Sequence, residues 1–353
     1  GRDQTAENGE PRLLRERVSL ALDLLFGVMC VLLTFGCHSA ENAGKPSAAQ
    51  PPTAAKVEPA KLQSWLQAEL RRDPTGVAED DLIAEDAARR AAAVRTLARI
   101  EDPRSFEALS KALADENADV VSWAAFGVGK LCHGHEPEAV RRLVLRAASL
   151  AVTPGNANDP MLGAIALALG RCASDEAENT LRSWLKLRPV VAESAMLGLG
   201  QVARSRKRLD DATVAALLDA VAQTPESSAL YAIESLPALG GPARSRLLEV
   251  ANKALEHSTA NRSFALRALA KGGAEAAPAL RHVIEAEATT DAERADAARA
   301  LGALGSAAHA DLTAVLAARA RKLIDEKAWL TSQHGVVLTL LESLDSKPNA
   351  API

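Results

Sequence analysis

The chain has 353 residues, of which 48% are hydrophobic and 24% are charged. This balance excludes a disordered chain and a protein that crosses a membrane many times. The 41 Lys and Arg side chains against 45 Asp and Glu give a net charge of −4, so no overall basic excess is present to hold a nucleic acid. Aromatic residues make up only 3%. Alanine and leucine dominate instead, which favours an all-α fold of closely packed helices.

The N-terminal part of the chain has the pattern of an export signal followed by a spacer. Three arginines precede an apolar stretch that covers residues 18–36, and a cysteine follows it directly. Residues 1–36 are therefore predicted to be a signal peptide or a membrane anchor. Residues 37–60 are rich in alanine, proline and serine and lack an apolar period, which predicts a flexible tether.

The end of the apolar stretch carries a more specific motif. The sequence Leu33-Thr34-Phe35-Gly36-Cys37 resembles the lipobox of bacterial lipoproteins. The resemblance implies cleavage before Cys37 and attachment of a lipid to that residue. It also implies a location in the bacterial cell envelope, facing the periplasm and anchored to a membrane. An uncleaved signal anchor and a cytosolic start are the alternatives.

From about residue 61 the sequence repeats itself. In residues 89–131, turn residues separate three stretches with helical periodicity. A Leu-Gly-like anchor pair recurs from Leu97-Ala98 to Leu341-Glu342, at intervals that average about 35 residues. Each anchor lies on a helix face of alanine, leucine and glycine, which only a neighbouring repeat can bury. Glycine within this face lets the neighbouring backbone approach closely.

This pattern resembles the HEAT-repeat family, in the short bacterial form that is also called PBS-lyase-type. The resemblance covers about residues 80–345. It implies an α-solenoid of about eight antiparallel helix pairs, in which the second helix of each pair lines a concave face. We place the solenoid at residues 61–345 and a disordered tail at residues 346–353. Pro237 lies within an anchor helix and predicts a kink there. An irregular all-α bundle is the alternative fold.

Residues 132–135, Cys-His-Gly-His, form the densest cluster of metal-capable side chains. Cys172 lies one repeat later at a nearly equivalent position. Three states stay open for Cys132 and Cys172: free thiols, a disulfide, which export would permit, and ligands of a metal. We expect no metal site, because a zinc site needs a second set of ligands that the sequence does not supply. No motif for hydrolysis or phosphate binding occurs either, so we expect no catalytic residues and no cofactor.

The second helices should expose the side chains two residues before and two residues after each anchor. The predicted partner-binding face on the concave side consists of Arg95, Arg99, Phe126, Lys130, Leu167, Arg171, Leu197, Gln201, Arg267, Lys271 and Arg299. Glu234 takes the same position in its repeat. An apolar centre flanked by cations suits an acidic or amphipathic protein segment. The same face could instead meet an anionic lipid headgroup, and the remaining alternative is that these are ordinary surface positions.

The sequence therefore favours a non-enzymatic scaffold in the bacterial cell envelope. A lipid would hold it at a membrane, and a protein partner would lie along the concave face, without nucleic acid or a small-molecule substrate. The alternative is a HEAT-like enzyme or a nucleic-acid-processing protein, because relatives of the family resemble DNA glycosylases and bilin lyases.

Overall fold

The computed structural model describes residues 57–152, 155–224, 228–257 and 262–325, together with Val337, Thr339, Leu341 and Glu342. The predicted signal or anchor segment, most of the predicted tether, Cys37 and the predicted tail lie outside the described residues. None of the helices within the described ranges is long and apolar enough to cross a membrane.

The regular structure of these ranges consists of α-helices and short 3-10 turns. In chain order the helices are α1 (Pro59–Arg71), α2 (Glu79–Leu82), α3 (Ala87–Ile100), α4 (Phe106–Ala112), α5 (Ala118–Lys130), α6 (Glu136–Ala151), α7 (Asp159–Cys172), α8 (Asp175–Trp184), α9 (Pro189–Arg206), α10 (Asp211–Gln223), α11 (Ala229–Glu234), α12 (Gly241–His257), α13 (Arg262–Leu269), α14 (Ala277–Glu285), α15 (Asp291–Ala303) and α16 (His309–Asp325).

The helices form two layers. The odd-numbered helices α1 to α15 make one layer, in which each helix packs against the next odd-numbered one. Each even-numbered helix from α4 to α14 packs against the odd-numbered helix that follows it, so the pairs repeat along the chain. This arrangement confirms the predicted all-α solenoid of helix pairs, and it is the odd-numbered helices that take the place of the predicted second helices.

Side chains at the turns explain where the helices begin. The side chain of Asn117 accepts hydrogen bonds from the first backbone N–H groups of α5, at 3.0 and 3.3 Å. Thr290 and Glu293 form a reciprocal capping box at the start of α15. Asp102 accepts a bond of 2.8 Å from a backbone N–H in the turn that Pro103 begins. These residues satisfy donors that a helix N-terminus leaves unpaired, so the turns are built into each repeat.

The layer of odd-numbered helices is held together by small side chains. Ala166, Ala168 and Leu169 of α7 have no exposed surface. A Cβ atom placed on Gly170 would lie 2.5 Å from the carbonyl oxygen of Gly198 in α9, which is too close for any side chain. The backbones of α7 and α9 therefore approach each other at glycines, as expected from the anchor pattern.

The predicted kink at Pro237 is wrong, because α11 ends at Glu234 before the proline. Proline has no N–H to donate within a helix, and it disfavours the helical conformation of the residue before it. A link of residues 235–240 follows, in which the N–H of Leu239 donates to the carbonyl oxygen of Lys271 at 2.8 Å. The proline thus shortens the anchor helix of this repeat instead of bending it.

Candidate binding face

The solvent side of the odd-numbered helices carries the predicted partner-binding residues. We call this surface the odd-helix face. All eleven predicted side chains are exposed or half-buried, whereas the anchor leucines Leu169, Leu199 and Leu301 have no exposed surface. The positions two residues before and after each anchor therefore point away from the core, as the helical spacing requires.

An arginine–aromatic stack crosses the first part of this face. The guanidinium carbon of Arg95 in α3 lies 5.6 Å from the centre of the Trp123 ring in α5. Trp123 meets Phe126 edge to face at 5.7 Å between ring centres. The guanidinium carbon of Arg171 in α7 lies 4.6 Å from the centre of the Phe126 ring. These four residues, which we call the N-terminal cluster, connect three consecutive odd-numbered helices.

A second stack has the same order of residue types. The guanidinium carbon of Arg204 in α9 lies 5.0 Å from the centre of the Tyr231 ring in α11. Tyr231 meets Phe264 of α13 edge to face at 5.7 Å, and Arg267 lies 4.9 Å from the centre of the Phe264 ring. We call these four residues the C-terminal cluster. Each cluster therefore consists of two aromatic rings between two arginines, held by cation–π and edge-to-face contacts.

The two clusters differ in their acidic neighbours. Arg267 of the C-terminal cluster donates from Nε to Glu234 at 2.5 Å and lies 3.4 Å from a carboxylate oxygen of Asp296. Burial raises the pKa of Glu234 above its ordinary value, although Arg267 opposes this. Burial also lowers the pKa of Lys271 on the same part of the face. Glu234 and Asp296 therefore compensate part of the positive charge of the C-terminal cluster.

Arg95 and Arg204 have a different electrostatic environment. Neither forms an ion pair within 4.0 Å with a residue in the described ranges, and each guanidinium lies against an aromatic ring. The charge of Arg204 also acts on Glu234, where it opposes the rise in the pKa of that carboxyl. A guanidinium stacked on a ring keeps its N–H groups at the edge of the plane, where they can donate to a carboxylate. These two arginines are therefore the cations of the face that are best placed to bind an external anion.

Several other predicted cations are already paired. Arg99 lies 2.9 Å from Glu69, Lys130 lies 3.0 Å from Glu101 and Arg299 lies 3.7 Å from Asp296. These ion pairs reduce the positive charge that the sequence predicts for the face. α7 and α9 lie between the helices that carry the aromatic rings of the two clusters. On the odd-helix face these two helices present three half-buried side chains, Leu167, Leu197 and Gln201.

Four residues of the clusters were not among the predicted binding residues: Trp123, Arg204, Tyr231 and Phe264. Each aromatic residue lies three positions before a residue of the predicted row, and Arg204 lies three positions after one. Residues three apart share a helix face. Extending the predicted row by one helical turn at each end would have found all four.

The structure joins Cys132 and Cys172 in a disulfide, with their Cα atoms 5.3 Å apart. Cys172 ends α7 and Cys132 follows the end of α5, so the bond links neighbouring odd-numbered helices. The His135 ring stacks on Phe106 with ring centres 4.7 Å apart, and His133 is exposed beside Glu136. No group of three or more His, Cys, Asp or Glu side chains suited to a metal occurs among the described residues.

Structural comparison finds solved helical proteins of low sequence identity. Human deoxyhypusine hydroxylase in complex with glycerol is 18% identical, over 81% of this chain and 96% of that chain, with a TM-score of 0.29. The CpcE–CpcF complex of phycocyanin lyase from Nostoc sp. PCC7120 is 18% identical, over 85% of this chain and 99% of that chain, with a TM-score of 0.35. An engineered protein is 20% identical over 80% of both chains, with a TM-score of 0.44.

Sequence comparison with curated proteins finds no significant match. The model of the PBS lyase HEAT-like repeat family matches residues 89–115. This segment covers most of α3 and all of α4, together with the turn that connects them, and the same layered pairing continues in the repeats that follow. The match over residues 89–115 and the repeated two-layered pairing identify the fold as a HEAT-like repeat arrangement.

Proposed function

We propose that the chain is a non-enzymatic scaffold that holds an acidic, extended segment of a protein partner across the odd-helix face. The observation that carries this proposal is the pair of arginine–aromatic clusters, in which Arg95 and Arg204 form no ion pair within 4.0 Å with a described residue. Aromatic residues and arginine are the types enriched where proteins bind one another. Carboxylates of a partner would complete both clusters.

The dimensions of the layer suit an extended chain. Neighbouring packed helices are about 8–10 Å apart, so the five steps from α3 to α13 cover about 45 Å. An extended polypeptide advances about 3.3 Å per residue, so a segment of about 14 residues would reach both clusters. Acidic residues of the segment would lie near Arg95 on α3 and near Arg204 on α9, and an apolar residue between them would contact Leu167 on α7.

Charge reversal on the odd-helix face tests this function. First, p-benzoylphenylalanine in place of Leu167 is used to crosslink and identify the partner in intact cells. We then expect the Arg95→Glu/Arg204→Glu double variant to bind the purified partner about 100-fold more weakly, because each reversed charge replaces an attraction by a repulsion. Fluorescence anisotropy at fixed salt concentration gives the dissociation constants.

The matched control is Arg104→Glu/Arg246→Glu, which makes the same change in net charge on helices and turns outside the odd-helix face. It should bind as the unmodified protein does. Equal loss of affinity in both double variants, or unchanged affinity in the first, would contradict the proposal. Binding of a single-stranded oligonucleotide with a steep salt dependence would instead indicate a nucleic-acid-binding protein.

We further propose that a lipid on Cys37 anchors the chain in the bacterial cell envelope. The lipobox-like residues 33–37 support this proposal, and the disulfide between Cys132 and Cys172 is of a kind that oxidising compartments favour. We expect radioactive palmitate to label the chain, and Cys37→Ser to abolish the label. Cys30→Ser is the control and should retain it, so loss of label in both variants or in neither would reject the anchor at Cys37.

A further inference from the structure

The first helix of the solenoid exposes a stripe of large apolar side chains. Leu62, Leu66 and Leu70 are 43%, 57% and 77% exposed. They are spaced by four residues and therefore lie along one side of α1. Trp65 and Ala68, which are 2% and 5% exposed, face the body of the protein instead. The helix is thus apolar on a side that no described residue covers.

Ile83 extends the apolar character of this end of the solenoid. It follows α2 directly and is 73% exposed. Lys61 of α1 lies 2.7 Å from Asp81 of α2, so this ion pair holds the two helices together. The three leucines of the stripe together expose on the order of 300 Å² of apolar surface, which lies within the size range of the largest patches on soluble proteins and often marks a binding surface.

Cations lie beside the stripe. Arg71 ends α1 and Arg72 follows it in a left-handed conformation. Both are exposed, and neither forms an ion pair with a residue in the described ranges. A helix with a leucine stripe and unpaired basic residues has the composition of helices that lie in the interface of an anionic bilayer. The arginines would contact the phosphates while the leucines enter the acyl boundary.

The position of α1 in the chain favours a membrane over a second copy of the protein as the occupant. α1 is the first described helix after Cys37, and the 22 residues from Cys37 to Pro59 can span at most about 75 Å. A lipid on Cys37 would therefore keep α1 within about 75 Å of the bilayer and closer to it along the chain than any other described helix. A patch of about 300 Å² is also smaller than the roughly 600 Å² per partner that the smallest stable protein interfaces bury.

We propose that the Leu62–Leu66–Leu70 face of α1 lies on the surface of an anionic phospholipid bilayer, so that the solenoid contacts the membrane through its first helix. This inference rests on the proposed lipid anchor for its placement of α1. It adds a second, non-covalent contact, which would orient the odd-helix face relative to the membrane.

Photocrosslinking in the full chain tests this contact. p-Benzoylphenylalanine replaces Leu66 in one variant and Leu70 in a second, and the control variant carries it in place of Ser64. Ser64 is exposed and, two residues from Leu66, lies on the opposite side of the helix. The protein is irradiated in membranes that contain radiolabelled phosphatidylglycerol. We expect on the order of tenfold more lipid adduct at positions 66 and 70 than at position 64, because an interfacial helix buries only its apolar side.

The outcomes separate this inference from the anchor itself. Palmitate on Cys37 without a lipid adduct at positions 66 and 70 overturns the inference and leaves the anchor in place. Crosslinks from these positions to a second copy of the chain, or to another protein, overturn it as well. A lipid adduct in a chain that carries no palmitate supports the contact of α1 and rejects only the anchor. Absence of both palmitate and adduct rejects both.

Discussion

Replacement of Gly170 by alanine is expected to lower the free energy of unfolding by about 3 kcal/mol, because the added methyl group has no space. Its carbon would lie 2.5 Å from the carbonyl oxygen and 2.6 Å from the Cα atom of Gly198. Both are backbone atoms and cannot rotate away, so α7 and α9 must separate. The gain of about 1 kcal/mol that alanine normally brings to a helix interior offsets part of this cost.

Urea denaturation followed by circular dichroism measures the change. Gly240→Ala is the matched control, because a Cβ atom at that position has no other atom within 4 Å; we expect its stability to change by less than about 0.5 kcal/mol. In a solenoid each repeat is stabilised by its neighbours, so the Gly170 variant should also unfold in two steps. A single transition at the stability of the Gly240 variant would show that α7 and α9 tolerate a wider spacing.

Removal of the disulfide should have an effect of similar size. The bond between Cys132 and Cys172 closes a loop with a sequence separation of 40 residues. By the chain-entropy relation, its loss in Cys132→Ala/Cys172→Ala should lower the free energy of unfolding by about 4 kcal/mol, because the unfolded chain gains conformational freedom. Denaturation without reductant measures this difference.

Reductant provides the internal control for the disulfide. Dithiothreitol should bring the unmodified protein to the stability of the double variant and should leave the double variant unchanged. Cys30→Ala should behave as the unmodified protein in both conditions. Free thiols at positions 132 and 172 in protein purified without reductant, or equal stability of the double variant and the unmodified protein, would contradict the linkage.

Local sequence patterns predicted a large part of the fold and of the candidate face. The apolar spacing of three and four residues, the turn residues between helices and the recurring anchor pair act within one or two helices, so they can be identified without knowledge of the tertiary structure. The same helix geometry placed Arg95, Phe126 and Arg171 on the solvent side. The same geometry places Trp123 and Tyr231 on this side of their helices, one turn beyond the predicted row.

The charge state of the face could not be predicted in this way. The sequence pattern predicts the same solvent exposure for Arg99 and Lys130 as for Arg95. In the structure, however, Arg99 forms an ion pair with Glu69, and Lys130 forms one with Glu101, each from the preceding repeat. Whether a given lysine or arginine forms an ion pair with a carboxylate depends on how far its helix is shifted along the neighbouring helix. That shift follows from the packing of small residues between helices. It cannot be predicted from the length of the repeat.

The all-α repeat, its recurring anchor helix and the side of that helix that meets solvent follow from local sequence, because these properties are set by neighbours only a few residues away in the chain. Contacts between residues of different helices depend on how the helices pack. The anchor interval is 41 residues from Val128 to Leu169 and 30 residues from Leu169 to Leu199, so no constant period relates one helix to the next. The contacts of Arg171 with Phe126 and of Arg204 with Tyr231 exist only once packing aligns the helices that carry them.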